Sequence, residues 1–281
     1  MAIDPVTALT TALETSSKVA SNPTFMTAID KWSGFKLSEW NAQGDVIKQQ
    51  IKDGYEEAKQ KGLGIQYASA FRQEGNLLQV ASKASGYVTE GFKREIGIEE
   101  DVFWNLLDHS KTISDEDVQD LIARIIAGEY NEQGTYSMSA LQVLKSLGKK
   151  ELSLFEKVGA LTLEGVQIPT LVFQIREGFG ELLEEVGVSY VQFQELQSLG
   201  LIHNNKLATQ ITTEEFPKIK FRYFSNAIIL EREGNCPAKI STPQYYELTN
   251  VGKQIMEHLR PAENEFYLGW LKDNFKLPHY K

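Results

Sequence analysis

Cysteine is almost missing from this chain: Cys236 stands alone among 281 residues. One thiol excludes an internal disulfide framework and a thiolate-only metal site, and it suits a reducing compartment. Basic charge is short as well. Lys and Arg number 29 against 38 Asp and Glu, a net charge of -9 with a pI near 5.1. That balance argues against broad, non-specific nucleic-acid binding, in which clustered cations replace phosphate counterions. Long apolar runs are also wanting, since no window nears the ~18 uninterrupted residues of a membrane span. The opening MAIDPVTALTTALETSSKVASNPTF lacks the basic start and apolar stretch of a secretion signal, so the cytoplasm is the expected location. The arm carries Val6, Leu9 and Leu13 on a thin stripe with few cations, so no peripheral membrane contact is expected.

Chemical signatures are missing too. The sequence holds no phosphate-binding glycine loop, HExxH, paired Cys or His ligands or GxSxG elbow. His109, His203, His258 and His279 are scattered. No catalytic residue, metal site or cofactor is therefore expected.

What is present is a patterned hydrophobic fraction of 42% in a chain long enough for two domains. The clearest local code runs from 112 to 158. Ser114 reads as an N-cap with Asp117 at the third helical position, and Asp115 and Glu116 face the positive end of the helix dipole. Val118, Leu121, Ile122, Ile125 and Ile126 then repeat at three and four, a buried stripe, while Asp120 and Arg124 form an exposed pair. Ser137 caps a second helix with Leu141 and Leu144, and Leu152, Phe155 and Val158 mark a third. Upstream, Arg72, Gln73 and Asn76 stand three and four apart on a longer helix and form a candidate polar contact patch.

The stretches RQEGNLLQVASKA at 72–84, Trp104, ISDEDVQDLIARIIAGEY and SMSALQVLKSLGKKELSLF together resemble a bacterial domain family of unknown function. Its members carry an RQ..N helix, a (V/I)SDEDMQ.LWA.ILAGE helix and an S.RTL..L..LS..E..LF helix, and the likeness runs over roughly 65–255. More distantly, the pattern is similar to the alpha-type abortive-infection proteins of phage defence. Here Leu121-Ile122-Ala123 replaces Leu-Trp-Ala, and Met138-Ser139 replaces Arg-Thr. The family brings no catalytic residues to carry over; what the resemblance implies is a helical core and a setting in bacterial stress or phage defence.

Beyond Thr162 the composition changes. SYVQFQELQSLGLI reads as a helix ending at Gly200. PKIKFRYFSNAIILERE and AKISTPQYYELT read as two strands about the turn EGNCP, before a helix bearing Val251, Ile255 and Leu259. This order resembles a winged-helix module. Helix 189–199, in the place of a recognition helix, has Gln192, Gln194, Glu195 and Gln197 but no Lys or Arg. Alternation puts Lys218, Lys220 and Arg222 on one strand face, a candidate phosphate contact. The tail places Phe266, Tyr267, Trp270 and Phe275 at helical spacings, as a docking helix or partner contact.

The expected architecture is mostly α with a small α+β part. It comprises a helical arm (1–64), a central helical domain (65–160), a winged-helix-like domain (161–260) and an aromatic tail (261–281). The expected function is non-enzymatic protein interaction, as sensor, adaptor or scaffold, with a protein partner or a homo-oligomer. The alternative is a winged-helix nucleic-acid-binding regulator.

Overall fold

The computed structural model describes residues 37–89, 101–132, 134–165, 171–173, 179–208, 210–212, 217–232, 234, 237–241 and 244–274, with isolated helical positions between 6 and 29. Cys236 and Phe275 lie outside the described residues. The fold is mainly helical with small antiparallel sheets toward the C-terminus. Two compact units are present, Met1–Leu141 and Gln142–Lys281. The expected boundary at 160 therefore falls inside the second unit. No helix among the described residues is long and apolar enough to cross a membrane.

The first unit contains α1 (Leu37–Gln60), α2 (Gly64–Tyr87), α3 (Asp101–Ser110) and α4 (Glu116–Asn131). Its core is the α2–α4 pair. Leu77, Leu78, Ala81 and Ala84 are buried on α2, and Leu121, Ile122, Ile125 and Ile126 on α4, as the three-and-four spacing requires. Each large aliphatic so buried stabilises the fold by roughly 1.5–3 kcal/mol. Phe25 and Tyr130 meet edge to face at 5.1 Å, with Phe103 at 6.2 Å from each. Across the solvent edge, Asp120 accepts from the Tyr87 hydroxyl at 2.6 Å and pairs with Arg124 at 3.1 Å.

The start of α4 differs from the sequence expectation by one residue. Asp115, not Ser114, is the N-cap, its carboxylate accepting from the Asp117 and Val118 amides at 3.1 and 3.3 Å. Ser114 is used elsewhere: its hydroxyl oxygen accepts from the Asn76 amide at 3.1 Å. At the other end, Glu129 is buried and its carboxylate accepts from the Gly134 amide at 2.8 Å and the Tyr136 amide at 3.1 Å. A side chain thus satisfies backbone donors of the polar turn that no helix bond reaches.

Helix α5 (Met138–Ser146) spans the division between the units, with Ser137 accepting from the Ala140 amide at 3.1 Å as its cap. The second unit continues with α6 (Lys149–Gly159), β1 (Glu164–Gly165), β2 (Leu171–Phe173), α7 (Phe179–Glu185) and α8 (Tyr190–Ser198). A capping box starts α8, Ser189 and Gln192 each accepting the other's backbone N–H. Next come β3 (Gln210–Thr212), β4 (Lys218–Tyr223), β5 (Asn226–Glu231), β6 (Lys239–Ser241), β7 (Tyr245–Glu247), α9 (Asn250–Met256) and α10 (Glu265–Asn274).

Strand β7 is the axis of the second unit's pairing. On one side it runs antiparallel to β2, Val172 opposite Tyr246. It also meets the segment after α8 through the antiparallel bridges Leu207–Tyr245 and Ile202–Leu248. Beyond Leu207 and Tyr245 the two arms also pair as β3 with β6 and as β4 with β5. The stretch expected as one strand, PKIKFRYFSNAIILERE, instead contains a hairpin, Lys218–Tyr223 pairing with Asn226–Glu231 and reversing at Phe224-Ser225 with Phe224 at φ 50°. The hairpin's end does not project freely. Strand β4 takes β1 as a second partner, with Glu164 opposite Arg222.

Candidate functional site

The alternation expected for β4 holds. Ile219, Phe221 and Tyr223 are buried, and Lys218, Lys220 and Arg222 are exposed. Two of the three cations are countered across the sheet. Lys218 meets Glu231 at 2.6 Å, and Arg222 binds the Glu164 carboxylate through two guanidinium nitrogens. The Glu231 carboxyl is held below the usual carboxylate range by its hydrogen bond from Lys218 and that cation's charge. Opposite Lys220 stands Ile229, an exposed aliphatic. The strand face is consequently a mixed-charge ladder, not a row of open cations.

Tyr223 fixes the end of this hairpin. Its hydroxyl donates to the Ala160 carbonyl at 2.8 Å and accepts from the Asn264 amide at 2.9 Å. Its ring meets Tyr267 edge to face at 5.3 Å. Tyr267, at 1% exposure, is the anchor of α10, and burial holds its hydroxyl proton far above the ordinary range. Trp270 stacks parallel to it at 6.2 Å. Phe266 points the other way and is 51% exposed. Of the tail aromatics in the described residues, Tyr267 docks and Phe266 faces solvent.

Helix α8 buries Phe193 and Leu196 beneath it, where Phe193 meets Tyr246 at 5.1 Å. Burial, with a hydrogen bond to Tyr190, pushes the Tyr246 hydroxyl up to about 12. The outer face carries Tyr190, Val191, Gln194, Glu195 and Ser198, and Val191 is 64% exposed. Along this face runs a groove of about 470 Å³ between α8 and the α5–α6 junction, with Val191 and Leu199 as apolar lining and Glu151 and Glu195 as acidic lining. Lys150 lies 4.0 Å from Glu195, both well exposed, a screened contact.

The patch expected at 72–76 is divided. Arg72 and Gln73 are exposed, but Asn76 is only 7% exposed and its amide donates to the Lys111 carbonyl and the Ser114 hydroxyl at 3.0 and 3.1 Å. Asn76 ties α2 to the α3–α4 turn, leaving Arg72 and Gln73 as the exposed part. Beside it, Glu74 is half-buried, 3.9 Å from Lys111. Burial raises its carboxyl above the ordinary range, against the pull of Lys111. Among the described residues no group of three or more His, Cys, Asp or Glu is placed to hold a metal ion.

Sequence reasoning missed the groove and the Tyr223 anchor. Val191, out of phase with the Phe193 and Leu196 stripe of α8, was the available signal for the first, and Tyr223 had none beyond its alternation.

The geometry defines a helical protein whose second unit pairs helices with a hairpin-bearing antiparallel sheet. The chain belongs to the family described as "Protein of unknown function (DUF2806)", whose model matches residues 65–272. No curated protein and no solved structure matched it.

Proposed function

We propose that the second unit is a winged-helix-like module that binds a protein partner through the outer face of α8. The topology supports the first part. Helix α6, strands β1 and β2, helices α7 and α8, the segment at 202–207, the paired strands β3 to β6 and then β7 follow one another, with β7 pairing both β2 and that segment. That order supports a winged-helix reading, in which α8 takes the recognition position and the β3–β6 and β4–β5 pairs form an extended wing.

One observation carries the partner reading: the recognition-position helix offers Val191, Gln194 and Glu195 over an acidic-rimmed apolar groove and no cation of its own. Such a helix offers a phosphate backbone no cation of its own. A basic, amphipathic segment of another protein complements it, its apolar residues on Val191 and Leu199 and its cations on Glu151 and Glu195. The motif resemblance supports a bacterial stress or phage-defence setting in the cytoplasm, and a homo-oligomer is the other arrangement the face admits.

A photoactivatable amino acid at Val191 tests the reading in cells. The expected product is a discrete protein adduct that Glu151→Lys with Glu195→Lys removes. Adducts indifferent to that charge reversal, or adducts to nucleic acid, overturn it. Expression in a phage-challenged host tests the setting: plaque numbers should fall with the wild type and recover with the double variant.

A second reading, a nucleic-acid-binding regulator, draws on the exposed ladder Lys218, Lys220 and Arg222. It requires salt-dependent affinity for duplex DNA that substitution of these three cations flattens.

A further inference from the structure

A cavity of about 380 Å³ lies within the second unit, lined from α6, β1, the hairpin end and α9, and it shares no lining residue with the α8 groove. That volume is in the range of small-molecule sites. Phe224, Leu248 and Met256 give it apolar walls, and Thr162, Glu164 and Glu257 give it oxygen-bearing ones.

The lining carries two carboxylates, Glu164 and Glu257, and two cations, Arg222 and Lys253, but the pairing is uneven. Arg222 is taken by Glu164, and Lys253 by Glu247 at 2.8 Å. Glu257 is exposed at the cavity mouth; among the described residues its carboxylate has neither an ion-pair nor a hydrogen-bond partner, while Glu164 stands near enough to repel it. Burial first, and then the Glu164 charge, raise the Glu257 carboxyl above its ordinary range. An anion entering here would have to break two ion pairs and face an unpaired carboxylate. A bare divalent ion would find two carboxylates and none of the His, Cys or further acidic ligands that fix such ions.

We infer that this cavity binds a small organic cation, an ammonium group on an apolar body, with its charge at Glu257 and Glu164 and its skeleton against Phe224, Met256 and Leu248. The ammonium gives Glu257 a counter-charge in place of solvent and donates to both carboxylates. The apolar body replaces water against the three walls. Because Phe224 belongs to the hairpin turn and Met256 to α9, occupancy ties the hairpin end to that helix.

The test uses the full chain and 2-phenylethylammonium, with 2-phenylethanol and phenylacetate as neutral and anionic controls on related skeletons, read by calorimetry. The amine should bind about tenfold more tightly than either control. Glu257→Gln should weaken it by about the same factor. Glu257→Lys, which places an ammonium of the chain's own beside Glu164, should abolish binding while retaining the far-UV spectrum. In the wild type, the amine should slow amide exchange at 218–225 and 250–257. Equal binding of the alcohol, preference for the carboxylate, no uptake of the amine at millimolar concentration, unaltered affinity in both variants, or protection elsewhere each overturns the inference.

Discussion

Gly252 and Leu201 approach so closely that a β-carbon added to the glycine would sit 2.0 Å from the Leu201 carbonyl oxygen. The obstacle is backbone, so no rotamer change relieves it. Thr249 organises the same corner: its hydroxyl donates to the Gly200 carbonyl at 2.6 Å and accepts from the Gly252 amide at 2.9 Å. Gly252→Ala should therefore cost about 3 kcal/mol by forcing α9 away from the segment after α8. Urea unfolding followed by circular dichroism measures it. A change smaller than a few tenths of a kcal/mol would show that the corner yields freely.

Glu129 should behave as a structural carboxylate. Its two oxygens serve the Gly134 and Tyr136 amides, the second in a buried contact. Glu129→Ala leaves both without that acceptor and should destabilise the protein by about 2–3 kcal/mol, whereas Glu129→Gln keeps one carbonyl oxygen and should lose about half as much. The two melting temperatures decide it.

Tyr223→Phe keeps the ring against Tyr267 and removes only the hydroxyl. The Ala160 carbonyl and Asn264 amide then lose their shared partner, a cost of about 1–2 kcal/mol. The loss should be felt locally as well, as faster hydrogen exchange in 218–231 than in α8.

Glu74 gives a pH dependence of definite sign. Its carboxyl binds protons more readily folded than unfolded, chiefly because burial disfavours the charged form. Over the interval from the ordinary carboxylate range up to that raised value the native state holds more protons, so Glu74's contribution to stability falls as pH rises. Glu74→Gln should remove that dependence, gaining on the wild type at neutral pH and losing the advantage at pH values below the ordinary carboxylate range. Melting temperatures of both proteins across this range are the check. A difference independent of pH would assign the effect to packing instead of ionisation.

Unmasking the β4 cations should alter nucleic-acid behaviour. Glu164→Gln with Glu231→Gln removes the carboxylates beside Arg222 and Lys218. The double variant should bind duplex DNA more tightly than the wild type at low salt, with a steeper salt dependence. Anisotropy titrations at several salt concentrations report both quantities.

The helices were legible in the sequence because their signals are local. The stripe from Val118 to Ile126 and the Ser137 cap need only neighbours within one or two turns, and both are realised. The cap of α4 was misread by one position because Ser114 and Asp115 are both good caps, and a distant residue, Asn76, engages the serine. The hairpin at Phe224-Ser225 was hidden for a related reason. No glycine or proline marks that turn, and the left-handed backbone at Phe224 is held by long-range contacts of Tyr223 that spacing cannot foretell. The candidate sites divide in the same way. The exposure of Lys218, Lys220 and Arg222 followed from strand periodicity, while their neutralisation depends on Glu164, 58 residues before Arg222.

That separation also sets an order of events during synthesis. Strand β1 leaves the ribosome with its pairing edge open, and β2 with it, until β4 and then β7 have been made. At ordinary elongation rates the wait is on the order of seconds. For that interval Glu164 and Leu171–Phe173 are strands without partners, and a nascent chain halted before Tyr245 keeps β2 in that state.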